Sequence, residues 1–65
     1  MLELMCNSIH MNYFTEGQVY FAFDGSLESG VWVSDDDNER HFLSPDCIEE
    51  NFEIVSGHYY GQEEN

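Results

Sequence analysis

Lysine is absent from this chain of 65 residues, and Arg40 is its single strong cation against fourteen Asp and Glu. Nearly every carboxylate therefore lacks an intramolecular partner of opposite charge, and the formal net charge is −13. A field of that sign repels nucleic acid and anionic lipid and attracts basic surfaces. It also far exceeds the roughly 2 to 8 units that keep a small domain soluble, which points to a use beyond solubility. Cysteine is scarce too: Cys6 and Cys47 are too few for the disulfide framework of a small secreted domain. No stretch approaches the ~20 consecutive apolar residues of a membrane span. Residues 1–5 carry Glu3 where a secretion signal carries a base. The expected setting is a reducing cytoplasm.

What is present argues for a folded domain in spite of the charge. The chain is 42% hydrophobic and 15% aromatic, more than a disordered polyanion carries. Its length supports one domain with a small core, since a chain this short buries only about 60% of its unfolded surface. Residues 1–56 are expected to form that domain and residues 57–65 an acidic polar tail.

Residues 2–6 alternate, with Leu2, Leu4 and Cys6 on one face and Glu3 on the other, as in a strand. Residues 9–16 read as a long loop whose Tyr13 and Phe14 tuck back onto the core, closed by the turn signal Glu16-Gly17. Residues 18–24 form the clearest strand, with Val19, Phe21 and Phe23 on one face and Tyr20 and Ala22 on the other. Asp24-Gly25-Ser26 reads as its closing turn. Residues 31–34 and 39–43 read as a hairpin around the polar turn Asp35-Asp36-Asp37-Asn38. Ser44-Pro45-Asp46 then supplies an N-cap, a first-turn proline and a first-turn acid, the start of a short helix or 3-10 turn. Residues 52–55 alternate as a closing strand. The predicted fold is all-β: a small five-stranded barrel with one short helical or 3-10 turn before the last strand, closed to reduce exposed edges.

The order of landmarks carries a resemblance: Met5-Cys6-Asn7, then Thr15-Glu16-Gly17-Gln18-Val19-Tyr20, then Val31-Trp32-Val33-Ser34-Asp35-Asp36-Asp37, then Phe42-Leu43-Ser44-Pro45, then Phe52-Glu53-Ile54-Val55. Over residues 5–55 this series resembles the small SH3-like barrel proteins of phage and bacterial genomes. The resemblance implies the barrel, and says little about function because such barrels host many binding roles. Two departures stand out: Gln18 where the pattern has lysine, and Asn38 where a glycine is typical. A barrel stripped of cations suits a basic partner.

Asp35, Asp36 and Asp37 are the obvious place for an acid–base pair, but so small a domain has little room for the pocket that shifts a pKa, and no catalytic residue is assigned. Asp35, Asp37 and Glu39, or Cys6, His10, His41, Cys47 and His58, could ligate a metal, yet neither set has a motif spacing. No metal or cofactor is expected. A different use of the acids follows from strand geometry, in which residues two apart point the same way at about 6.6–6.8 Å. If extended, Asp35, Asp37 and Glu39 would form a phosphate-like row, with Asp24, Glu28, Asp46, Glu49, Glu50 and Glu53 extending it. Aromatic anchors would supply the binding energy, with Trp32, Tyr13, Tyr20, Tyr59 and Tyr60 as candidates. A lone tryptophan in a small barrel is usually core, which counts against Trp32.

The expected function is that of a small acidic phage-type accessory protein, not an enzyme. It binds and inhibits a basic host protein, a nucleic-acid-processing or defence enzyme, by imitating a nucleic acid. The alternative is an adaptor or structural module that docks a protein through an aromatic barrel face. The contact residues are expected among Asp24, Glu28, Trp32, Asp35, Asp36, Asp37, Glu39, Glu49, Glu50, Tyr59 and Tyr60. Neither nucleic acid nor membrane is expected to be bound directly, and the protein is expected to be a monomer or dimer in the host cytoplasm.

Overall fold

The computed structural model describes residues 2–57. Five strands, β1 (Leu2–Cys6), β2 (Val19–Ser26), β3 (Gly30–Ser34), β4 (Arg40–Leu43) and β5 (Phe52–Gly57), form one sheet in the order β4-β3-β2-β1-β5. Every pairing is antiparallel. The helix α1 (Pro45–Asn51) lies just before the last strand and packs against β3, β4 and β5. It thereby spans the opening between the two edge strands. The result is the small barrel-like all-β fold that the strand pattern predicts, and among the described residues no helix is long and apolar enough to cross a membrane.

Alternation along each strand decides what is buried. Leu4 and Cys6 of β1, Tyr20 of β2, Val31 and Val33 of β3, Leu43 of β4 and Phe52 of β5 face inward, and Ile48 of α1 and Phe14 of the loop complete the core. Cys6 and Cys47 remain free thiols within this packing. The helix starts as its sequence signals require. Ser44 is extended at φ −70°, its hydroxyl accepts the Cys47 N–H at 3.1 Å, and Pro45 occupies the first turn. Its far end is abrupt because Phe52 is already extended while its N–H still donates to the Ile48 carbonyl.

Residues 7–18 are tied down as a loop rather than left loose. Gly17 N–H donates to the Cys6 carbonyl at 2.7 Å, Cys6 N–H to the Gln18 carbonyl at 3.0 Å and Asn7 N–H to the Asn51 carbonyl at 2.8 Å. The Phe14 ring reaches the core and meets Tyr20 and Phe52 edge-on, at centroid distances of 4.8 and 5.3 Å. Tyr13 does not follow it. Its backbone turns left-handed at φ 70° and its side chain stays exposed, which corrects the expectation that both rings tuck in.

The reversal after β2 also comes later than its sequence suggests. Asp24 and Gly25 are still paired with β3, and the turn itself is residues 27–29. Gly25 is left-handed at φ 93° because a bulge at Phe23 twists the strand there. A Cβ at Gly25 would collide with the Gly30 carbonyl oxygen and come within 2.9 Å of the Val31 Cα. Gly17, at φ 89°, has open space around it. Gly25→Ala is expected to destabilise the domain by about 3 kcal/mol, adding a backbone clash to the left-handed strain. Gly17→Ala should cost only about 1 kcal/mol, that of the strain alone. Chemical denaturation of the two variants beside the parent checks the order.

Candidate partner-binding surface

A phosphate-like row at Asp35, Asp37 and Glu39 requires extended backbone, and the backbone there is folded. Asp35 N–H donates to the Glu39 carbonyl and Asn38 N–H to the Asp35 carbonyl, both at 2.9 Å, with Asn38 left-handed at φ 63°. Asparagine tolerates that conformation better than other non-glycine residues, so it serves where glycine is typical. The Asp35 carboxylate closes the turn from within: its Oδ1 accepts Asp37 N–H at 2.9 Å and Glu39 N–H at 3.0 Å. Its Oδ2 lies 3.4 Å from His41 Nδ1. The backbone N–H of Glu39, with that of Asp37 and the His41 ring, holds the Asp35 carboxyl below its ordinary value, against the opposing pull of partial burial.

Asp36 is also committed internally. Its Oδ1 accepts the Tyr20 hydroxyl at 2.6 Å, its Oδ2 accepts the Thr15 hydroxyl at 2.8 Å, and its N–H donates to the Tyr13 carbonyl at 2.9 Å. Tyr20 in turn accepts the Thr15 N–H at 2.8 Å. Burial first, and then the bond to Asp36, push the Tyr20 phenol above its ordinary pKa. Tyr20 is therefore not an exposed contact residue, since it is only 7% accessible. The group pins the 7–18 loop to the β3–β4 turn. Two of the acids expected to meet a partner thus serve the fold first, while the Asp37 and Glu39 side chains stay exposed.

The other predicted acids are exposed but dispersed. Glu28 sits in the turn at the Gly30 end of β3, the 35–38 turn lies at its Ser34 end, and Glu49 and Glu50 project from α1. They surround the molecule without forming one row. Tyr59 and Tyr60 lie outside the described residues. Among the described residues no group of three His, Cys, Asp or Glu converges as a metal site.

A second surface is more concentrated. The sheet face turned away from the core carries Phe21 (52% accessible), Phe23 (50%), Trp32 (39%) and Phe42 (45%). Cross-strand pairing brings them together. Trp32 is directly opposite Phe42, with ring centroids 5.3 Å apart, and the bulge at Phe23 leaves both Phe23 and Asp24 beside Trp32. Glu3 stands directly opposite Phe21, and Met5 lies between Val19 and Glu53. Arg40 places its guanidinium 5.6 Å from the Phe23 ring centroid. Trp32 and Asp24 are the predicted contact residues that this face unites. Phe21, Phe23 and Phe42 are not among the expected contact residues, although the outward position of Phe21 and Phe23 follows once Leu4 is known to pair with Tyr20 across the core face, and that of Phe42 from its pairing with Trp32.

Comparison of the chain with protein-family models, curated proteins and solved structures returns no match.

The depressed Asp35 pKa has a definite sign in stability. The folded state holds the Asp35 proton less tightly than the unfolded state. The contribution is therefore complete above the ordinary value of 3.8 and is lost as pH falls through the lower folded value. Asp35→Asn, which keeps an accepting oxygen but not the charge, is expected to melt below the parent at pH 7 and to converge with it below about pH 4. Thermal melts of both proteins across pH 2–7 test this, a constant gap being the contrary result.

Proposed function

We propose that the protein is a small acidic binding protein that engages the cationic surface of a nucleic-acid-handling enzyme and thereby inhibits it. The observation that carries the reading is the charge: fourteen carboxylates face one arginine, and that arginine lies on an aromatic ring. Among the described residues the only ion-pair geometry is His41 with Asp35, so the described acids other than Asp35 and the internally bonded Asp36 have no cationic partner of their own. Long-range attraction of this kind accelerates encounter with a basic partner and weakens with salt. The folded 35–38 turn argues against literal imitation of evenly spaced phosphates. It favours competition for the same cationic surface by a differently shaped polyanion.

On this reading the protein is a phage-type accessory factor in the host cytoplasm. It needs no cofactor, performs no catalysis, and makes no direct contact with nucleic acid or membrane. It acts as a monomer or dimer, since like charge opposes larger assemblies. A second reading is favoured by the open rings of the outer sheet face. It makes the protein an adaptor that docks a partner through apolar contact, with the acids serving solubility alone.

Salt separates the two. The immobilised protein is exposed to host lysate, bound proteins are eluted by a salt gradient, and the recovered protein is assayed on its nucleic acid with and without the soluble acidic protein. The expected result is elution at moderate salt of an enzyme whose nucleic-acid binding is competitively blocked. A partner that resists salt and shows no competition with nucleic acid supports the adaptor.

A further inference from the structure

We infer that the outer aromatic face is an arginine-receiving surface, occupied by an arginine-rich segment of the basic partner whose guanidinium groups stack on Phe21 and Trp32 beside the carboxylates of Glu3 and Asp24. This rests on the reading that the partner is basic, and specifies where and how it is held. The protein already shows the contact once, for Arg40 lies over Phe23 and not in an ion pair with any described carboxylate. Arginine has a planar, weakly hydrated guanidinium that stacks on rings while its edge bonds carboxylates, whereas the lysine ammonium is compact and strongly hydrated.

The register places each open ring beside an acid. Glu3 is directly opposite Phe21, and Asp24 directly opposite Trp32. Neighbouring strands stand about 4.8 Å apart, so a guanidinium lying on one of these rings is within reach of the adjacent carboxylate. Asp24 gains this place from the bulge, which sets two residues of β2 against the single Trp32. The Asp24 carboxylate keeps capacity for a ligand, because its described bond is only from Gly25 N–H to Oδ1 at 2.8 Å.

Other occupants fit less well. A second copy brings a net charge of −13 against −13, and its only arginine is already on its own Phe23. A purely apolar segment would cover Glu3 and Asp24 and leave their charges uncompensated. Nucleic acid is repelled by the same field that attracts arginine.

The test uses the whole protein with octa-arginine and octa-lysine as probes, equal in length and charge. Binding is measured by calorimetry at low salt and located by NMR shifts and by emission of Trp32, the chain's one tryptophan. Octa-arginine is expected to bind about tenfold tighter, from the two added stacking contacts, and to alter Trp32 emission. Phe21→Leu and Trp32→Leu, which keep apolar bulk but remove the ring, should each narrow that preference by weakening octa-arginine more than octa-lysine. Calorimetric unfolding of both variants confirms that they fold.

Equal affinity for the two peptides, with shifts spread over the whole surface, overturns the arginine-receiving face and leaves the acidic binding reading standing. Absence of binding by either peptide overturns both. Concentration-dependent dimerisation that shields Trp32 assigns the face to a second copy and overturns the inference.

Discussion

Carboxylates without cations must find other donors, and this constraint organises much of the structure. The Asp35 carboxylate takes backbone N–H groups of its own turn, and the Asp36 carboxylate takes the hydroxyls of Tyr20 and Thr15. Hydrogen bonds to a charged acceptor are stronger than neutral ones, so the substitution is favourable. Through Asp36 the long loop is fastened to the β3–β4 turn, and Phe14 is held where it completes the core. The acids without such donors repel one another, and that repulsion opposes the compact state.

Size imposes the second condition. A small barrel has room inside for aliphatic residues and a few rings, and Leu4, Val31, Val33 and Leu43 fill its centre almost completely shielded. Phe21, Phe23, Trp32 and Phe42 are displaced to the outer face, where they are covered in part: Trp32 against Phe42, and Phe23 beneath Arg40. A surface of this composition on a small domain marks a place of interaction more often than an accident of folding. On the function proposed above, charge draws a basic partner from a distance and rings hold it at contact, so the two surface properties describe one binding event at two ranges.

Much of the fold was legible because local signals agreed with one another. The strand of Leu2, Leu4 and Cys6, the hairpin around residues 35–38 and the Ser44-Pro45 helix start all lie where pattern and capping chemistry put them. The delayed reversal after β2 was not legible, since Asp24-Gly25 is as good a turn signal as it is a bulge signal. The inside of β2 was ambiguous for another reason: Val19, Phe21 and Phe23 form as apolar a face as Tyr20 and Ala22, and alternation alone cannot say which is buried. Only pairing of Tyr20 with Leu4 decides it. The same ambiguity hid most of the candidate contact face, while the acidic row failed because spacing along a sequence becomes distance only when the backbone is extended.

The central claim, that an open aromatic face stands in a strongly negative field, has a direct test in the quenching of Trp32 emission by acrylamide, caesium and iodide. Acrylamide reports access, while the cation and the anion together report the sign of the local potential. The account predicts efficient quenching by acrylamide and caesium and weak quenching by iodide, with the two ions converging as salt is raised. Protection from all three, or equal quenching by caesium and iodide at low salt, would contradict it.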